Sequence, residues 1–286
     1  FFHRDCELME KDGRRWVEML DRTCWKLRFA ATEPGRHSFH VTARDRSGEA
    51  RSPAFSFNAE RSGSRGYVRV SRRAPGYFEF EDGTPYFAVG ENLATYGSGV
   101  WEYDGWIRRL GEAGANYGRV WMCSGCFGIE WGRPGQYRMD SAWELDRVIG
   151  LAERHGIYIK LCLESWRSFE GPQTFYRACD VHPYWSRNGG PCRTEMEFFK
   201  DPEAGRMFRN RLRYVVARWG YSPHVLAWEF WNEINCVKGY HGDPASVVNW
   251  SAEMARFLRE IDPWKHLVVN SLGSFVVDDD LWHLPE

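Results

Sequence analysis

Val225-Leu-Ala-Trp-Glu-Phe-Trp-Asn-Glu-Ile-Asn235 is the stretch that decides the fold. It is a near-continuous apolar run with aromatic and β-branched residues, entered through Ser222-Pro223 and ending in polar residues. Such a run suits a strand covered on both faces, as in a parallel sheet, rather than a strand with one wet face. Its carboxyl end presents Asn232 and Glu233. In α/β barrels the chemistry sits where strands end and loops begin, so this pair marks a candidate site.

Working outward, strand-like and helix-like segments alternate from about residue 86, the pattern of parallel βα units. Strands are expected at 86–92, 116–123, 157–164, 225–231 and 266–271, with helices at 103–113, 141–155, 202–219 and 244–261. Asp201-Pro202 starts a helix well, with Asp as cap and Pro in the first turn. Two long loops, at 124–140 and 165–200, are expected to wall a cleft. Before this region, residues 77–80 and 85–89 flank Asp82-Gly83, a tight-turn signal for a hairpin. Residues 1–60 read as all-β, with runs at 25–29, 37–42 and 54–57 separated by Pro34-Gly35 and Ser47-Gly48, which suggests an immunoglobulin-like sandwich module. Arg61-Ser-Gly-Ser-Arg-Gly66 is a linker by composition. The expected architecture is α/β: a small all-β sandwich-like domain over 1–60, then a partial (β/α)8 TIM barrel over 66–286 with about five of its eight βα units. Both domains are expected to be incomplete, the first at its amino end and the second at its carboxyl end.

Composition is compatible with a large core: 286 residues, 43% hydrophobic and 16% aromatic. A net charge of -1 argues against nucleic acid or an anionic membrane as the main partner, and no stretch approaches the ~20 apolar residues of a membrane span. The fifteen tryptophans are an excess, suited both to core packing and to stacking on sugar rings. No cofactor is implied, and no His-x-His or second CxxC accompanies Cys123-Ser-Gly-Cys126, so no metal site is expected. Were the protein exported, Cys6 with Cys24, or Cys179 with Cys192, could form disulfides. Neither a charged-apolar leader nor an initiator Met stands at Phe1. The expected setting is secreted or periplasmic rather than cytoplasmic; the oligomeric state is open.

Gly90-Glu-Asn92, Arg119 within Asn116-Tyr-Gly-Arg-Val-Trp121, and Trp228-Glu-Phe-Trp-Asn-Glu233 together resemble family 5 of the clan A retaining glycoside hydrolases. The likeness is to bacterial cellulase-like or mannanase-like enzymes with a β-sandwich before the barrel. Asn188-Gly-Gly-Pro191, Phe198-Phe-Lys-Asp-Pro202 and Tyr214-Val-Val-Ala-Arg-Trp-Gly-Tyr-Ser-Pro223 also look like this group. The resemblance implies hydrolysis of a β-linked glycan, such as a glucan or mannan, by double displacement. One carboxylic acid protonates the leaving oxygen and a second carboxylate attacks the anomeric carbon. It makes Glu233 the acid/base, Asn232 the ligand of the sugar 2-hydroxyl, and Arg119 the arginine beside the nucleophile. The family's nucleophile ends strand seven and matches no residue here. Glu286 lies in a tail, and Glu91 and Glu164 end the wrong strands. The expectation is a piece of a longer enzyme, inactive alone, with a carbohydrate-binding protein or pseudoenzyme as the alternative.

Other residues carry open readings. Glu164 either binds a sugar hydroxyl or partners a buried Arg; Asn92 either binds substrate or caps a loop. Trp121, Trp166 and Trp231 are candidate sugar-stacking residues, whereas Trp106, Trp143 and Trp219 have helical, packing settings. Glu229 reads as structural and in need of an Arg partner. His182 and His241 are expected as solvated loop residues. Arg206, Arg209, Arg211, Arg213 and Arg218 are expected on a solvated helix face.

Overall fold

The computed structural model describes residues 1–122, 126–130, 133–166, 182–273 and 280–283. The carboxyl-terminal two thirds is built on a five-stranded sheet whose strands run in sequence order, each parallel to the next. Numbered along the chain, they are β10 (Gly90–Ala94), β11 (Tyr117–Trp121), β12 (Tyr158–Ser165), β13 (Val225–Asn232) and β14 (Leu267–Val269). Helices α1 (Glu102–Glu112), α2 (Met139–His155), α4 (Pro202–Trp219) and α5 (Pro244–Ile261) connect successive strands, with a short α3 (Glu197–Lys200) before α4.

Local chemistry sets the limits of these elements. The Asp201 carboxylate accepts from the Glu203 and Ala204 amides at the start of α4, and Asp243 caps α5 through Ser246, each with Pro in the first turn. Helix α2 stops at Gly156, whose φ of 69° suits a residue without a Cβ. Every residue of β13 is buried, as its unbroken apolar run requires. On the helix side, Phe198, Phe208, Phe230 and Trp250 form one aromatic cluster, with ring centroids 5.0–6.1 Å apart.

A three-stranded antiparallel sheet, β7 (Val68–Val70), β8 (Phe78–Phe80) and β9 (Pro85–Tyr86), closes the end where the parallel strands begin. Phe80 and Tyr86 meet Tyr158, the first residue of β12, at 5.3 Å each. Val68 and Leu226 complete this second core. Tyr86 was expected to open the first parallel strand, but it pairs with Phe78, and that strand starts at Gly90. A Cβ on Gly90 would lie 1.8 Å from the Tyr117 carbonyl oxygen, so only glycine permits this approach of β10 to β11.

Residues 1–59 are all-β, paired as three separate two-stranded antiparallel ribbons. These are β1 (Phe2–Lys11) with β2 (Arg14–Trp25), β3 (Gly35–Phe39) with β6 (Phe55–Ala59), and β4 (Thr42–Asp45) with β5 (Gly48–Arg51). The expected strand at 25–29 is absent beyond Trp25. Cys6 and Cys24 are free thiols; in the β1–β2 register Cys6 faces Met19 and Cys24 faces His3, so the proposed pairing does not form. Cys192 is buried and free, while Cys179 lies outside the described residues.

The amino-terminal segment is tied to the helix layer by ionic contacts. Asp146 on α2 accepts from Arg28 at 2.7 and 2.9 Å and from Arg218 at 3.1 and 2.8 Å, and Trp219 Nε1 adds a 2.8 Å bond. Burial alone would disfavour the Asp146 anion, but Arg28 and Arg218 hold its carboxyl below the usual range. Arg218 is 0% exposed, which corrects the reading of its helix face as solvated. Replacing Asp146 by Ala leaves this buried guanidinium without its carboxylate. The expected cost is about 3–5 kcal/mol, read as a lowered midpoint in urea unfolding; a change under about 0.5 kcal/mol would refute the structural weight given to the triad.

Candidate active site

The carboxyl ends of the parallel strands, opposite the aromatic plug, carry the polar cluster. Arg119 of β11 is its hub. Its Nε donates to Glu229 Oε2 at 2.7 Å, and its Nη2 approaches Glu229 Oε1 at 2.5 Å, Asn232 Oδ1 at 2.9 Å and Ser271 Oγ at 3.2 Å. Lys160 Nζ lies 3.5 Å from Glu229 Oε2. Glu229 is 0% exposed and finds the Arg partner its burial requires. Burial opposes the Arg119 charge, yet Glu229 outweighs it and holds the guanidinium protonated above its ordinary range. The Arg119 guanidinium also lies 5.1 Å from the Trp121 ring centroid.

Glu233 follows β13 in a left-handed conformation, φ 53° and ψ 56°, and leads into a 3-10 turn over Ile234–Cys236. For a residue with a side chain this conformation costs about 1–3 kcal/mol unless its surroundings enforce it. The Glu233 amide donates to Ser271 Oγ at 2.9 Å, and Trp166 Nε1 donates to Glu233 Oε2 at 2.7 Å. Asn232, next to it, is 2% exposed and engaged by Arg119, with its Nδ2 3.5 Å from Ser165 Oγ. Half-buried Glu233 is therefore held at its carboxylate by an indole donor and at its backbone amide by a hydroxyl, and it follows directly on the Asn232 that Arg119 engages.

Glu164 and Trp231 are cross-strand partners near the ends of β12 and β13. Strict alternation would send both inward, but both turn toward the helices. Trp231 is 0% exposed, wedged against Phe198 and Phe199 at 5.0 and 5.3 Å, so it faces the core and not a sugar. Glu164, 3% exposed, accepts from Arg211 Nη1 at 2.7 Å and lies 3.2 Å from His182 Nε2. Of its two readings, the buried arginine pair is the one present. His182 at 2% and Arg211 at 3% exposure are thus buried network members, correcting their solvated readings. Arg211 also donates to the Leu163 carbonyl. The neighbouring Glu130 carboxyl is pushed up by burial, against the pull of Arg211, and accepts from the Gly135 amide at 2.7 Å.

The remaining candidates separate. Asn92 is exposed on β10 and stands opposite Arg119 in the ladder. Trp121 is nearly buried, against Cys162, and Trp166 is half-buried at the Glu233 carboxylate. His241 is exposed, its ring 5.5 Å from that of Tyr240. Arg206 and Arg209 do lie on the outer face, paired with Glu203 and Glu253. Cys126 is buried and donates to the Tyr96 carbonyl at 3.5 Å, whereas Cys123 and Glu286 lie outside the described residues. Among the described residues no cluster of three His, Cys, Asp or Glu could hold a metal, and no helix is long and apolar enough to cross a membrane. Ser271, Lys160 and Glu130 were not legible as site neighbours. No local motif or spacing around them signals a role; only proximity across strands does.

A parallel α/β sheet with an Asn-Glu pair at the carboxyl end of a buried strand, held by an arginine, is the class these observations define. No family model matches the chain. Mannan endo-1,4-beta-mannosidase 2 of Arabidopsis thaliana is 30% identical over 177 residues, covering 57% of this chain and 39% of that protein. Mannan endo-1,4-beta-mannosidase 1 of Oryza sativa subsp. japonica is 29% identical over 232 residues, 74% of this chain and 50% of that protein. The chain thus spans half or less of the length of these curated relatives. Among solved structures, a putative glycoside hydrolase from Bacteroides vulgatus overlays 98% of this chain and 53% of its own with a TM-score of 0.63 at 16% identity. The exo-beta-1,4-mannosidase Op5Man5 from an Opitutaceae bacterium overlays 69% of this chain and 34% of its own, with a TM-score of 0.53 at 20% identity. These structures share the fold. The chain is related to the glycoside hydrolase family 5-like, cellulase and mannanase, enzymes. The curated relatives are plant proteins, so the expected bacterial kinship is not supported.

The Glu164 network makes a prediction about acid. Burial would raise the Glu164 pKa, but His182 and Arg211 lower it from 4.5 to about 2. A depressed folded-state value means the unfolded chain binds more protons between these limits. The stabilisation is therefore full above about pH 4.5 and is lost as pH falls toward 2, at up to about 1.4 kcal/mol per pH unit. Glu164→Gln should flatten this part of the stability profile in urea titrations from pH 6 to 3; an equally steep profile would contradict the ion pair.

Proposed function

We propose that the protein hydrolyses β-1,4 linkages within mannan by a retaining double displacement in which Glu233 is the general acid/base. The observation that carries this reading is the placement of Glu233 and Asn232 at the carboxyl end of β13, beside the Arg119–Glu229 pair. The relatives' names, mannan endo-1,4-beta-mannosidases, support the choice of glycan. In this reading Glu233 donates its proton to the leaving glycosidic oxygen and later takes one from the attacking water. The Trp166 indole N–H orients the carboxylate through its bond to Oε2. Asn232, locked by Arg119, presents its amide to the sugar 2-hydroxyl, a contact that tightens as the ring gains oxocarbenium character. Trp121 and Trp166 flank the sugar path. The attacking carboxylate is assigned to none of the described residues. Glu229 is committed to Arg119 and Glu164 to Arg211.

The five parallel strands and the four helices that connect them read as about five of the eight βα units of a (β/α)8 barrel, and residues 1–60 as a sandwich-like module before it. The overlay on glycoside hydrolase structures supports the first part. Export from the cytoplasm suits an enzyme acting on a polymeric wall glycan.

Glu233→Gln, made in the whole protein, tests the assignment. Hydrolysis of mannan should fall about 100- to 10,000-fold, while glycosylation by an aryl mannoside with a good leaving group is largely retained, because such a group departs with little protonation. Undiminished mannan turnover would remove Glu233 from the chemistry. Mannan binding without any hydrolysis by the unaltered protein would favour a carbohydrate-binding pseudoenzyme.

A further inference from the structure

Ser271 follows β14, outside every motif that points to the site, yet its side chain joins the two parts of that site. A serine hydroxyl has one proton to donate and two lone pairs to accept with. Here Oγ accepts from the Glu233 amide at 2.9 Å and from Arg119 Nη2 at 3.2 Å, and it lies 3.3 Å from the Trp231 carbonyl oxygen, to which it donates. All three capacities are used, each toward a different part of the β11–β13 site.

The backbone around it closes on the same turn. The Ser271 amide donates to Trp231 O at 3.2 Å and the Ile234 amide donates to Ser271 O at 3.0 Å, so residue 271 brackets Glu233 from both sides. Two residues on, Asn235 and Gly273 exchange bonds: Asn235 Nδ2 to Gly273 O at 2.8 Å, and Gly273 N to Asn235 Oδ1 at 2.7 Å. A Cβ on Gly273 would come within 2.7 Å of Cys236 Sγ and 3.2 Å of Glu233 Cβ, so a side chain there would press on this turn. The exit of β14 is therefore shaped around a glutamate held in a left-handed conformation that its own side chain disfavours.

We propose that Ser271 is a positioning residue for the acid/base: its hydroxyl holds the Glu233 backbone in the left-handed turn and couples it to Arg119. The inference rests on the acid/base reading of Glu233. Without the hydroxyl the Glu233 amide and one Arg119 N–H lose a partner, and the turn is free to relax toward ordinary backbone angles. A displacement of about 1 Å at a reacting group can cost roughly a hundredfold in rate.

Ser271→Thr and Ser271→Val have nearly the same shape and differ in the hydroxyl, so comparing them separates hydrogen bonding from packing. Two readouts apply: steady-state kinetics on mannan, and hydrogen exchange of the Glu233 amide followed by NMR. The Thr variant should stay within about threefold of the parent in kcat, whereas the Val variant should lose about ten- to a hundredfold in kcat with KM little changed and exchange the Glu233 amide at least about tenfold faster. Equal kcat and equal exchange in the two variants would overturn the proposal, as would a loss confined to KM. Ser271→Ala against the parent provides the same contrast without a β-branched side chain. The two readings fail differently. If Glu233→Gln is inactive while the Thr and Val variants match, only the role of Ser271 falls; if Glu233→Gln hydrolyses mannan normally, the acid/base reading falls first.

Discussion

The buried pair of Arg119 and Glu229 is the interaction on which the site depends. A fully buried carboxylate is tolerable only when a cation and further donors replace its water. That requirement fixes the register of β11 against β13 through β12, because Arg119 must reach Glu229 across an intervening strand that itself supplies Lys160. Once in place, the guanidinium Nη2 has one N–H left over, which Asn232 Oδ1 and Ser271 Oγ share. The same planar fork that neutralises a structural carboxylate thus arranges the side chains around Glu233.

The two ends of the sheet have opposite chemistry for a reason visible in its packing. At the strand beginnings, Phe80, Tyr86 and Tyr158 close the interior with aromatic contacts, and the Tyr86 hydroxyl is satisfied by the Asn116 carbonyl. At the strand ends, the ladder runs out and the side chains must satisfy one another. Two networks result, one around Arg119 on the interior side and one joining Glu164, His182 and Arg211 toward the helices. The second network anchors the end of β12, from which Trp166 reaches the Glu233 carboxylate two residues later.

Much of the barrel-like half was legible because its signals are local. The Asp-Pro caps place the starts of α4 and α5 within the chain as expected, and β13 follows its apolar run to within one residue. The need of Glu229 for an arginine was also readable, since a charge within such a run has no solvent. Trp231 and Glu164 were not, because the strand period of two breaks down at the last turns, where both residues swing to the helix side. Arg211 and Arg218 looked like members of a solvated face for a related reason. Helical spacing shows which face a residue occupies but not that Glu164 and Asp146 wait opposite that face. In residues 1–60, alternation announced β structure, but edge pairing between short strands depends on partners that a local pattern does not name.

What the amino-acid sequence determined by itself was the succession of strands and helices, the parallel sheet they imply, and the placement of an Asn-Glu pair at the end of one strand; each follows from periodicity, capping and the exclusion of water from apolar runs. The tertiary structure alone decided which charges meet. Ser271 lies 38 residues from Glu233 along the chain and Arg119 lies 110 from Glu229, and no property of either segment in isolation specifies the other. Hydrogen bonds of 2.5–3.2 Å require positions that only the packed sheet supplies, so the Asn-Glu pair was written locally and the geometry around it was written by the fold.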